Sequence, residues 1–226
     1  MSTFGVAVIE EGPEPYATLV KNMTVAGFRQ HKDADGVGAS FRWCIDIDGK
    51  TVIIEFLTEQ GVEPGTIARP RQGTGAKLGA FEVRGASLVA LDFVGRDIRG
   101  VIADGSESFG TIRVANLVPF ITLKAFAMHE RGAVKYKDAY DIVFTLSNWP
   151  GGPAAAAVAA KTSPVFGESK VSEALALLGE HFAHEGMDGP GQYSGFLFDA
   201  YQDEEDEMDR LRREAVAVVQ AFLSGL

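Results

Sequence analysis

Lys124 is the only charged residue in the fifteen positions from Val114 to Met128, "VANLVPFITLKAFAM". An ammonium in that setting must reach out to water, pair with a carboxylate, or face a cleft that holds an anion. If the segment is helical, Phe120, Ile121, Ala127 and Met128 share the lysine's face at three- and four-residue spacings. Arg131 then lies two turns further along nearly the same face. Two cations in line make a surface suited to a polyphosphate.

A few residues later, "KYKDAYDIVFTL" sets Asp138 and Asp141 three apart at the head of an apolar run, directly behind Lys137. Two readings stand. The pair can start a helix, because a carboxylate near the first turn accepts backbone N–H groups and meets the positive end of the dipole. It can also do chemistry. Glu55 poses a related question in "TVIIEFL", a strand pattern that is apolar except at that position. Its carboxylate must face a sheet edge, pair with a cation, or hold a metal ion. A strand-borne carboxylate with a cation-lined helix is the equipment of a magnesium and triphosphate site.

The order of these pieces resembles a known family. "LVPFITLKAFAMHERGAVKYKDAYDIVFTL" is similar to the C-terminal motifs of the AbiEii/AbiGii toxin-type nucleotidyltransferases, which include the MenT toxins. There a Leu-x-x-Lys-x-x-Ala helix with a following Arg precedes an Arg/Lys-Asp-x-x-Asp helix. Ile121 stands at the leucine position, followed by Lys124, Ala127 and Arg131, and Lys137, Asp138 and Asp141 match the second helix. The match is good over residues 113–148 and looser elsewhere. The resemblance implies a catalytic set of Glu55, Lys124, Asp138 and Asp141. Lys124 and Arg131 would bind the nucleotide, Asp138 or Asp141 would orient that lysine or the acceptor, and Glu55 would be the third catalytic carboxylate and a metal ligand. It implies magnesium as cofactor and a nucleoside triphosphate as substrate, with RNA or a protein as acceptor. An antitoxin or a second copy of the chain is the expected partner.

That family begins with a Gly-Ser loop and a strand carrying Asp-x-Asp. Here the corresponding strand is "FGVAVI", preceded by Met1, Ser2 and Thr3, so the sheet domain is expected to be N-terminally incomplete. The alternative is a catalytically inactive nucleotide-binding or protein-interaction module. "GASFRWCIDID" offers Gly38, Ser40, Asp46 and Asp48 as a superficial substitute. The spacing from Ser40 to Asp46 leaves no room for a helix, and Asp48 belongs to a turn. "GTGAKLG" lacks phosphate-loop spacing. His181 and His184 have helical spacing without a third ligand and are read as solvent-facing. Cys44, the single cysteine, reads as a buried thiol, and the acidic run from Asp203 to Glu207 as a solvated helix start.

The elements that must position these residues follow from periodicity. A strand at "FGVAVIE" leads to a helix through Tyr16, Leu19, Met23 and Phe28, with a stop at Gly27. "FRWCIDI" and "TVIIEFL" flank the turn "DGK" as a hairpin. Residues 61–80 read as a loop, and "FEVRG", "SLVALDFVG" and "IRGVIADG" as further strands. Helices are expected over "VANLVPFITLKAFAMHERG", at about 137–148, over "SKVSEALALLGEHFAH" and over "DEEDEMDRLRREAVAVVQAFLSGL". The expected fold is α+β: a nucleotidyltransferase-like mixed sheet domain over 1–112, then a helical domain over 113–226. In the 226 residues, 46% hydrophobic and 23% charged side chains suit a folded core. The net charge of −10 disfavours nonspecific adhesion to nucleic acid or an anionic membrane. No segment is long and apolar enough to span a bilayer, which makes the cytoplasm the expected address.

Overall fold

The computed structural model describes residues 2–7, 14–32, 35–61, 67–68, 78–101, 105–132, 137–201 and 205–226. The chain divides into two compact units, Met1–Val114 and Ala115–Leu226. The described strands lie in the first unit up to its boundary, and most of the helical residues lie in the second.

In the first unit the strands are β1 (Ser2–Ala7), β2 (Arg29–Lys32), β3 (Gly38–Ile47), β4 (Lys50–Glu59), β5 (Ile67–Ala68) and β6 (Ala80–Val83), with helix α1 (Glu14–Val25) between the first two. They form a mixed sheet ordered β2-β3-β4-β6-β5, with β1 and β6 both parallel to β4. The β3–β4 hairpin turns on Asp48 and Gly49, at φ of 49° and 73°. Positive φ at both turn residues matches the right-handed twist of the strands and fixes the register, Ile47 opposite Lys50 and Arg42 opposite Glu55. α1 stops because Gly27, at φ 90°, lets the Phe28 N–H reach back to the Met23 carbonyl at 2.9 Å. That closure carries Phe28 and Met23 into one core with Trp43, Phe56 and Leu78. Cys44 is buried on β3.

Two expectations are corrected here. "SLVALDFVG" is not one strand: Leu88–Leu91 form a short helix, α2, and strand β7 (Phe93–Val101) begins after it. The cause is Glu59, whose carboxylate accepts from the backbone N–H groups of Gly85 and Ser87 and bends the chain before Leu88. The helix over "VANLVPFITLKAFAMHERG" starts later than its pattern suggested. Glu107–Ala115 is strand β8, paired with β7 in a two-stranded sheet, and Asn116 caps α3 (Leu117–Arg131) by accepting from the Leu117 N–H at 3.0 Å. Of the loop over 61–80, β5 and the start of β6 account for three positions, and 62–66 and 69–77, including most of "GTGAKLG", lie outside the described residues.

The second unit continues with α4 (Lys137–Ser147), α5 (Gly152–Lys161), α6 (Ser169–His181), α7 (Asp188–Tyr201) and α8 (Glu205–Ser224). Its core is made by Ile121, Met128, Ile142, Leu146, Leu178, Phe182 and Phe222, all essentially free of solvent contact. α5 and α7 were not anticipated. Alanine repetition hides a buried stripe in α5, and three glycines mask the helical pattern of α7. Among the described residues no helix is long and apolar enough to cross a membrane.

Candidate functional site

α3 and α4 pack against each other, and their contact brings five charged side chains into one row. Lys124 Nζ lies 2.9 Å from Asp138 Oδ1 and 2.6 Å from Asp141 Oδ2. Arg131 Nη1 reaches Asp138 Oδ2 at 3.2 Å, and Lys137 Nζ holds both oxygens of Asp141, at 2.7 and 2.8 Å. The sequence of charges is Arg131, Asp138, Lys124, Asp141, Lys137, alternating throughout and carrying one net positive charge.

Burial grades along the row. The Asp138 side chain is 4% exposed, Asp141 14% and Lys124 24%, whereas Arg131 and Lys137 at the two ends are 41% and 64% exposed. Ile121 and Met128, on the lysine's own face, are buried, and Nζ stands 5.9 Å from the centre of the Phe120 ring. Burial disfavours the Lys124 charge, but the pull and hydrogen bonds of Asp138 and Asp141 outweigh it, so its pKa is raised above the ordinary lysine value. The lysine stays charged in its folded surroundings.

Asp138 lies inside the first turn of α4, which suits the helix dipole. Both of its oxygens accept from side chains on α3. The contacts of both oxygens are thus with the two cations of α3, and the place in the first turn adds only the favourable meeting with the helix dipole. Residues 133–136, which precede the helix, lie outside the described residues.

Glu55 belongs to the sheet unit. Its Oε1 accepts from Arg42 Nε at 2.7 Å and also from Arg42 Nη2, a cross-strand pair fixed by the hairpin register. Among the described residues no three His, Cys, Asp or Glu side chains gather into a group that could hold a metal ion. With Glu55 engaged by a guanidinium, the described side chains do not fit a resident magnesium ion, and no chemical step is derived through one. Asp46 is likewise engaged: hydrogen bonds from Thr51 and Arg29 hold its carboxyl below the usual aspartate value.

His181 does not pair with His184. Its Nε2 lies 3.0 Å from Nδ1 of His129 on α3, while His184 Nδ1 accepts from the Gly186 N–H. Across a separation of 52 positions, His129 and His181 left no signal by which sequence could join them. Arg42 was also missed as the partner of Glu55, although the hairpin register places the two directly opposite. Of the acidic run, Glu207 pairs with Arg210 and Asp203 and Glu204 lie outside the described residues.

Comparison of the chain with protein-family models, with curated proteins and with solved structures gives no match.

Proposed function

We propose that the chain is a nucleotidyltransferase-like protein of the AbiEii/AbiGii toxin class whose helical unit binds the phosphates of a nucleoside triphosphate along the Arg131–Lys124–Lys137 row. In this reading an intact site transfers a nucleotidyl group to an acceptor hydroxyl on RNA or protein. The observation that carries the proposal is the alternating row itself. Lys124 and Arg131 from the first motif helix meet Asp138 and Asp141 from the second, the arrangement that the resemblance implies. The two carboxylates fix Lys124 in place, and the exposed ends at Arg131 and Lys137 present donors to an anion. Lys124 adds charge from the middle of the row.

A second reading, a nucleotide-binding module without catalysis, is favoured by two observations: Glu55 is engaged by Arg42, and among the described residues no group of carboxylates assembles a metal site. Magnesium belongs to the first reading alone, as the cofactor of a complete active site.

Calorimetric titration of the full chain with each nucleoside triphosphate, with and without magnesium, tests the proposal. Binding by the wild type that weakens at least about tenfold in Lys124→Met, with the far-UV circular dichroism retained, supports it. A folded wild-type chain that binds no nucleotide under either condition refutes both readings.

A further inference from the structure

The β7–β8 ribbon has no further partner strand among the described residues. One face is built from charge and aromatic rings. The Arg113 guanidinium lies 4.5 Å from the Phe93 ring centre, that of Arg99 5.2 Å from Phe109, and Thr111 donates to Asp97 at 2.7 Å. Strand alternation puts Val94, Ile98, Ile112 and Val114 on the opposite face. There Ile98, Ile112 and Val114 keep 48%, 46% and 41% of their surface in water. A two-stranded ribbon is marginal in water by itself, and an unpaired edge beside an apolar face is a template for another strand.

We propose that β7 pairs antiparallel with β7 of a second copy of this chain, about a two-fold axis through Ile98, to make a four-stranded sheet. This proposal stands apart from the nucleotide reading. It rests on the charge pattern of "FVGRDIRGV", which is self-complementary about Ile98. In that register Asp97 of each copy stands directly opposite Arg99 of the other, on the face that already carries the Thr111 and Phe109 contacts. The two Ile98 side chains meet on the apolar face, and Arg96 falls opposite Gly100, where no side chain competes. Moving the axis to Asp97 opposes two carboxylates, and moving it to Arg99 opposes two guanidinium groups. Charge therefore favours the register centred on Ile98 over those centred on either neighbour.

A copy of the same chain satisfies this pattern because an isologous contact makes both ion pairs at once. Thr111 holds Asp97 and Phe109 supports Arg99 before association, so less side-chain freedom is lost on pairing. The β8 edge permits a related match, Glu107 opposite Arg113 about Gly110. That match sets glycine against glycine at its centre and gains no side-chain contact there.

Sedimentation velocity of the full chain over a concentration series tests the proposal. The expected result is a concentration-dependent dimer that weakens by about tenfold or more in D97R, where both ion pairs become like-charge contacts. The exchange D97R/R99D restores opposite charges and should return dimerisation to within about twofold of wild type. T111V removes the hydrogen bond that holds Asp97 without changing charge, and should weaken the dimer far less than D97R does. A wild-type chain that stays monomeric overturns the proposal, as does D97R with unchanged assembly or a double exchange that fails to restore it. Dissociation by E107R and not by D97R moves the contact to β8 and also overturns it.

Discussion

Asp138→Asn replaces the most deeply buried charge of the α3–α4 row by an amide of nearly the same shape. The asparagine loses the ion pairs to Lys124 and Arg131, formed at 2.9 and 3.2 Å in the wild type. Breaking a fully buried pair costs about 3–5 kcal/mol, and an exposed one about 0–1. This site falls between those limits, because Lys124 retains Asp141 at 2.6 Å and Arg131 can turn toward water. A loss of about 2 kcal/mol is expected for D138N. Lys124→Met should cost more, about 3 kcal/mol, since it leaves a nearly inaccessible Asp138 with Arg131 as its remaining partner in the row. In the double variant neither buried charge survives to be orphaned. Its loss should fall short of the sum of the singles by about 1–2 kcal/mol. Urea unfolding measures this, read by far-UV circular dichroism and by Trp149 fluorescence in a Trp43→Phe background, so that the helical unit is followed specifically. Single-variant losses that add to the double within about 0.5 kcal/mol would refute the coupling, and with it the view of the row as one electrostatic unit.

The same row should leave a mark on the pH dependence of stability. With Lys124 raised above its ordinary value of 10.5, the folded chain holds a proton that the unfolded chain has already released. The stabilisation is fully present below that ordinary value and is lost as pH rises through the folded one. The gap between wild type and K124M, followed by urea unfolding, should therefore narrow at alkaline pH. Tyr193 gives a spectroscopic check: burial first, then the charge of Glu214, push its phenol up to about 12. In a difference titration by near-UV absorbance, Y193F should remove a component ionising near that value. Gly189→Ala tests packing, since a methyl group there would come within 2.6 Å of the Phe182 ring and 2.8 Å of the His181 carbonyl oxygen. About 1–3 kcal/mol of destabilisation is expected in thermal or urea unfolding, and an unchanged midpoint would mean that α7 shifts freely.

Local signals carried part of this structure. The Asp48-Gly49 turn, the halt of α1 at Gly27 and the lone Lys124 in an apolar helix each depend on neighbours within a few residues, and each could be read in order along the chain. Helix α7 escaped because its glycines and tyrosine obey no clear local preference, and buried contacts at Gln192, Tyr193 and Ser194 hold it in place. "SLVAL" carries strand-compatible side chains, yet the Glu59 carboxylate, reaching from the end of β4, turns the chain into a short helix. Sequence alone determined that Lys124 needed water, a carboxylate or a bound anion, since a buried ammonium is too costly without one of them. It left several carboxylates eligible. Tertiary structure decided the matter: strand register gave Glu55 to Arg42, and the packing of α4 on α3 gave Asp138 and Asp141 to Lys124. The physical reason is range, because desolvation is set by a residue and its near neighbours, whereas an ion pair requires two groups to arrive within about 4 Å from wherever the chain has carried them.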